Sequence, residues 1–166
     1  MLAAYSDRAV PVPILDEMVQ AGRLGKKSGA GFRKFSGRKG RPTADPDFEP
    51  LLAKYRQQTK TFTPEELTDR LFLPMLLEAT RVLDENIVRD PADVDMGLIL
   101  GIGFPPFRGG LLRWADSLGA ATVLDKLSAY ESLGKRFEPT DRLRQMAANG
   151  ETFYPRPKVD TVFGAV

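Results

Sequence analysis

Residues 63 to 86, "TPEELTDRLFLPMLLEATRVLDEN", leave little room for anything but a long buried helix. Thr63 offers a hydroxyl to the free backbone N–H groups of a first turn, Pro64 suits the first helical position, and Glu66 stands three residues after Thr63, completing a capping box. Leu67, Leu71, Met75, Ala79 and Val82 or Leu83 then recur at helical spacing. Leu73, Leu76 and Leu77 widen the apolar face beyond the stripe of a surface helix, which predicts a central core helix. Pro74 lies inside it and cannot donate to the carbonyl of Arg70. A bend without termination is expected, because the apolar pattern continues past it.

The same punctuation marks shorter helices downstream. In "DPADVDMGLILG", Asp90 caps, Pro91 opens, Asp93 favours the positive helix start, and Gly101 suits a left-handed stop. "GAATVLDKLSAYESLG" sets Val123, Leu124, Leu127 and Tyr130 on one side and ends in Gly134, while "EPTDRLRQMAANG" runs from Pro139 to an Asn149-Gly150 stop. No stretch offers several strands of alternating pattern. The region from about residue 44 to 152 is therefore expected to be an all-α bundle.

The preceding residues differ in kind. One short amphipathic helix, Ile14 to Ala21, leads into a Gly-, Lys- and Arg-rich segment without apolar period. The expected organisation is a short N-terminal appendage over 1–35, a basic linker over 36–46, the helical domain over 47–155 and a tail over 156–166. Residues 47 to 59 should add a helix, beginning near Pro50.

Composition narrows the chemistry. The 166 residues contain no cysteine and no histidine, so disulfides, thiolate catalysis, Ser-His-Asp triads and histidine metal ligands cannot come from this chain. A net charge of +2 steers neither nucleic acid nor small anions strongly. No apolar run approaches the roughly 20 residues of a membrane span, and "MLAAYSDRAVPVP" lacks the basic start and apolar middle of a secretory signal. A cytoplasmic location is expected.

Several motifs suggest sites and fail on spacing. "GLILGIGFPPFRGG" has Gly101 and Gly103, but the dinucleotide fingerprint needs a third glycine where Pro106 stands, and a strand where a capped helix is predicted. "AGRLGKKSGAGF" lacks the P-loop's first glycine and its hydroxyl, since Gln20 and Lys27 occupy those positions, and Lys34 stands where Gly29 and Gly31 would need a third glycine. A turn that docks Phe32 and Phe35 on a neighbour fits better. "GRKGRP", with Arg33, Lys34, Arg38, Lys39 and Arg41, supports an alternative reading as a stand-alone helical module touching nucleic acid, although one basic hook is a weak signal. Glu66 with Arg70, and Arg81 with Asp84 or Glu85, are local helix pairs. Glu78, on the apolar side, has no base beside it. Catalytic, cofactor-binding and metal-binding residues are thus assigned to none. "GFPPFRGG" is expected to be a structural corner in which Phe104 and Phe107 enter the core and Gly109-Gly110 permit a close approach.

Taken together these segments resemble a known family. "AGRLGKKSGAGFRKF" is similar to the closing segment of the C-terminal domain of 3-hydroxyacyl-CoA dehydrogenases. "RLFLPMLLEATRVLDENIVRDPADVDMGLILGIGFPPFRGGLLRWADSLG" is similar to that domain's second copy in the multifunctional α-subunit of the fatty-acid β-oxidation complex, which also carries an enoyl-CoA hydratase region. The resemblance spans about residues 12–35 and 63–155. It implies a helical, substrate-side domain and not a cofactor loop: the NAD-binding Rossmann domain, the catalytic histidine and the hydratase glutamates of such proteins fall outside it. The family's first helical copy carries an Asn-Arg pair whose asparagine assists the site, and the matching residues here are Asp69 and Arg70. An ionised aspartate cannot donate as an amide does, so no catalytic role passes to Asp69. The implied role is that of an internal partner, since monofunctional relatives pair their helical domains in a dimer that the tandem copies imitate. Implied partners are the Rossmann, first helical and hydratase domains, with a thiolase β-subunit as a further candidate.

Overall fold

The computed structural model describes residues 5–37, 40–56 and 59–155. The chain divides into two compact units, residues 1–61 and 62–166. Helix dominates, as expected: seven α-helices occur among the described residues, beside one pair of two-residue strands.

In the first unit, helix α1 (Pro13–Gln20) is followed by the antiparallel pair β1 (Lys34–Phe35) and β2 (Pro42–Thr43), a 3-10 turn over Pro46–Phe48, and helix α2 (Glu49–Tyr55). The sequence expectation began the helical bundle at residue 47 and treated 36–46 as a linker. The structure instead gathers α2 with α1, and the Glu17 carboxylate accepts hydrogen bonds from Lys54 Nζ and the Tyr55 hydroxyl. Residues 38 and 39 of that basic stretch, and the tail 156–166, lie outside the described residues. Arg23 organises the rest of the unit. Its guanidinium donates to the Gly31 carbonyl at 2.8 and 3.1 Å, pairs with Asp45, and lies over the buried Phe48 ring. Gly31 must stay small because a Cβ there would meet Gly25 Cα at 2.9 Å.

The second unit is built around helix α3 (Pro64–Asp84), with α4 (Pro91–Ile102), α5 (Leu111–Leu118), α6 (Ala120–Ser128) and α7 (Asp141–Asn149) following. The capping box forms: Glu66 N–H donates to Thr63 Oγ1 at 3.1 Å, and Thr63 N–H donates to Glu66 Oε2 at 2.9 Å. Helix α3 continues through Pro74. Its buried face is Asp69, Leu73, Leu76, Leu77, Thr80 and Leu83, joined by Leu111, Leu112, Trp114, Val123, Leu127, Phe137 and Leu143. Each leucine so buried contributes about 1.5–3 kcal/mol of transfer free energy, which makes this cluster the main source of stability.

One buried face and two helix ends depart from the sequence reading. Leu67 and Leu71, assigned to the core face of α3, are exposed. The helix is apolar on two sides, and periodicity cannot say which side its neighbours cover. Helix α4 stops at Gly103, whose φ of 73° takes the left-handed cap assigned to Gly101. Helix α6 ends at Ser128, and Glu131–Leu133 form a separate 3-10 turn before Gly134.

Candidate functional site

The corner between α4 and α5 draws together the most specific residues of the sequence. Phe104 is 3% exposed and packs at a tilt of 44° on Phe72 with ring centroids 4.9 Å apart, and Phe72 meets Trp114 edge-on at 5.3 Å. Phe107, also expected in the core, is instead 84% exposed on the 3-10 turn Pro106–Arg108. The two-proline turn aims the two rings differently, and only the first has a cavity to enter.

Asp95 is the hinge of this corner. Its buried carboxylate accepts from Leu112 N–H at 2.8 Å, Arg113 N–H at 3.2 Å and the Tyr154 hydroxyl at 2.8 Å. Those two backbone donors lie in the first turn of α5, where no preceding side chain supplies a cap, so a carboxylate from another helix does so. Asp116 repeats the device, accepting from Phe153 and Tyr154 N–H at 2.9 and 3.0 Å. The Arg113 guanidinium sits 3.7 Å from the Tyr154 ring centroid. Burial first, and the hydrogen bond to Asp95 second, push the Tyr154 hydroxyl well above the usual tyrosine range. The corner joins α4, α5 and the segment after α7.

Helix α4 has an unusual orientation as a consequence. It turns Asp95 inward, while Met96, Leu100 and Ile102 face out, Leu100 at 78% exposure. Beside it, α3 and α4 border an apolar groove of about 580 Å³ lined by Pro74, Met75, Val82, Leu98 and Ile102, with Glu78 and Asp93 at its edge. Glu78, isolated in the sequence reading, holds Arg81 at 2.7 Å. The outward apolar face escaped sequence reasoning because "MGLILGI" is apolar all round. The one available signal was Asp95 itself, an acid immediately before that run.

Asp69, which the sequence resemblance set against the family's asparagine, is buried and pairs with Lys126 Nζ at 3.0 Å, which also reaches Glu65 at 2.6 Å. The Glu65 hydrogen bond first, and the Asp69 carboxylate besides, hold the Lys126 ammonium above the usual lysine range. Asp69 is a charge-pairing residue of the α3–α6 contact.

The glycine motifs fall at a helix end and in a tight turn. Gly101 belongs to α4 and Gly103 to its cap. In the "GKKSGAGF" stretch, Gly25 pairs with Ala30 in a tight turn and Phe32 meets Phe48 edge-on at 5.4 Å. Arg33, Lys34 and Arg41 are exposed around β1 and β2. Among the described residues no three acidic, histidine or cysteine side chains converge as a metal site, and no helix is long and apolar enough to cross a membrane.

Among solved structures, the chain is similar to the dehydrogenase part of multifunctional enzyme 1 from C. elegans. Identity is 21%, the TM-score 0.59, and the match covers 82% of this chain and 33% of that one. This likeness is one of fold. A second structure, (S)-3-hydroxybutyryl-CoA dehydrogenase PaaH1 from Ralstonia eutropha, shares 28% identity at a TM-score of 0.45, with 68% of this chain and 41% of that chain covered. The chain thus spans about a third of the first structure and 41% of the second. Residues 67–156, more than half of the sequence, match the model of the 3-hydroxyacyl-CoA dehydrogenase C-terminal domain, and the chain belongs to that family.

Proposed function

We propose that this chain acts as the second helical copy of a multifunctional 3-hydroxyacyl-CoA dehydrogenase and enoyl-CoA hydratase, preceded over residues 1–35 by the closing segment of the first copy. In the intact protein it would scaffold the NAD-linked oxidation of a 3-hydroxyacyl-CoA to the 3-ketoacyl-CoA in fatty-acid β-oxidation. The observation that carries this reading is the outward face of α4. A self-contained domain turns polar side chains to water, whereas Met96, Leu100 and Ile102 offer aliphatic surface of the kind one domain buries against another.

The chemistry belongs to other parts of such a protein. This sequence holds no histidine to serve as base, and the carboxylate at the asparagine position is committed to Lys126. NAD, bound in a Rossmann domain, supplies the hydride acceptor. The chain's own contribution is rigid support. Its partners are the Rossmann, first helical and hydratase domains, with a thiolase β-subunit as a further candidate, and its compartment is the cytoplasm.

Two measurements test the assignment. The chain alone, given 3-hydroxybutyryl-CoA and NAD, is expected to form NADH no faster than a blank without protein. The reading frame upstream of Met1 is expected to encode a Rossmann fold. Turnover by the chain alone, or an upstream frame without such a fold, would overturn the reading.

A further inference from the structure

The second unit contains an open pocket of about 400 Å³ that the scaffold role leaves unused, lined by Leu67, Arg70, Leu71 and Pro74 of α3 and by Arg136 and Phe137 of the turn 135–137. Its two sides differ in chemistry. Leu67, Leu71 and Pro74 form an aliphatic wall, and both leucines are exposed. Arg70 and Arg136 bring two guanidinium groups to the same pocket.

Neither arginine is in an ion pair among the described residues. The Arg70 guanidinium lies 5.2 Å from the Phe62 ring centroid and that of Arg136 lies 5.5 Å from Phe137. Arg136 Nε is buried and has no hydrogen-bond partner. A guanidinium N–H without an acceptor costs free energy that an arriving anion can offset, and the planar fork suits carboxylate or phosphate oxygens. The carboxylates nearest Arg70 in sequence are engaged elsewhere: Glu65 and Asp69 hold Lys126, and Glu66 completes the cap of α3.

We propose that this pocket binds an amphiphilic anion, a carboxylate or phosphate head on a short aliphatic chain. The head is held by Arg70 and Arg136, and the chain lies along Leu67, Leu71 and Pro74. The pocket is formed by this unit's own residues and does not depend on the scaffold role.

Calorimetric titration of the full chain tests it with octanoate and octyl phosphate as probes, and octanol and inorganic phosphate as controls. At least one amphiphilic anion should saturate, with both controls weaker by about tenfold or more, since each control lacks one half of the recognition. The preferred head group distinguishes carboxylate from phosphate chemistry. An Arg70→Gln/Arg136→Gln double variant should lose about tenfold or more in affinity. Amide shifts in the unaltered protein, which decide the matter even if the variant fails to fold, should cluster at residues 67–74 and 135–137. No saturation by either anion below about 10 mM, equal binding of octanol, undiminished affinity in a folded double variant, or shifts centred elsewhere would overturn the proposal.

Discussion

The carboxylate of Asp95 occupies the space that any side chain at residue 110 would need: a Cβ built on Gly110 falls 2.1 Å from Asp95 Cγ. Gly110 also has a φ of 126°, a conformation that side-chain-bearing residues rarely adopt. One glycine therefore admits the buried acid that caps α5 and receives Tyr154.

Gly110→Ala is accordingly expected to destabilise the second unit by about 3 kcal/mol or more, through the clash and the backbone strain together. Asp95→Ala should cost a similar amount, about 3 kcal/mol, because it strands two backbone donors and the Tyr154 hydroxyl. Thermal unfolding followed by circular dichroism checks both. A wild-type melting temperature in either variant would show that the corner tolerates rearrangement.

The two phenylalanines of the corner should behave oppositely. Phe104→Ala removes a buried ring from between Phe72 and its neighbours and is expected to cost about 3–5 kcal/mol. Phe107→Ala touches an exposed ring and should change stability by no more than about 0.5 kcal/mol. Urea unfolding midpoints of the pair measure the difference.

The Lys126 cluster carries a pH signature. Its ammonium is raised in the folded state by Glu65 and Asp69, so its stabilising contribution is complete below the unfolded lysine pKa and is lost as pH rises through the folded one. Glu65 is held below the usual carboxylate range by Lys126, so its part is present above the unfolded value and is lost as pH falls through the lowered one. The gap in urea midpoint between wild type and Lys126→Gln should be widest near neutrality and narrow toward both extremes. A gap independent of pH would assign the effect to packing of the lysine stem.

Leu100→Lys tests the outward face of α4. The side chain is exposed, so unfolding free energy should move by no more than about 0.5 kcal/mol. Binding of an apolar fluorescent probe, and any concentration-dependent association seen by sedimentation, should fall. An unchanged probe signal with a lowered melting temperature would mean that Leu100 serves this unit's own stability.

What could be read from residues alone was local. The capping box at Thr63 and Glu66, the α4 start at Asp90-Pro91 and the Gly150 stop are set by backbone groups within a few residues, so the sequence carries their whole cause. The all-α class was legible for the same reason. Three things needed the tertiary structure. Which of two apolar faces α3 buries was decided by Leu111, Leu112 and Val123, distant in sequence, and Leu67 and Leu71 were left outside. Whether Phe104 or Phe107 found a cavity depended on Phe72 and Trp114. Asp95 reads as an acid at the head of an apolar run until α5 brings Leu112 and Arg113 N–H to it across 17 and 18 residues. A periodic pattern specifies a helix and its apolar sides, whereas burial and hydrogen-bond satisfaction belong to pairs of segments, and their geometry exists only once the chain has packed.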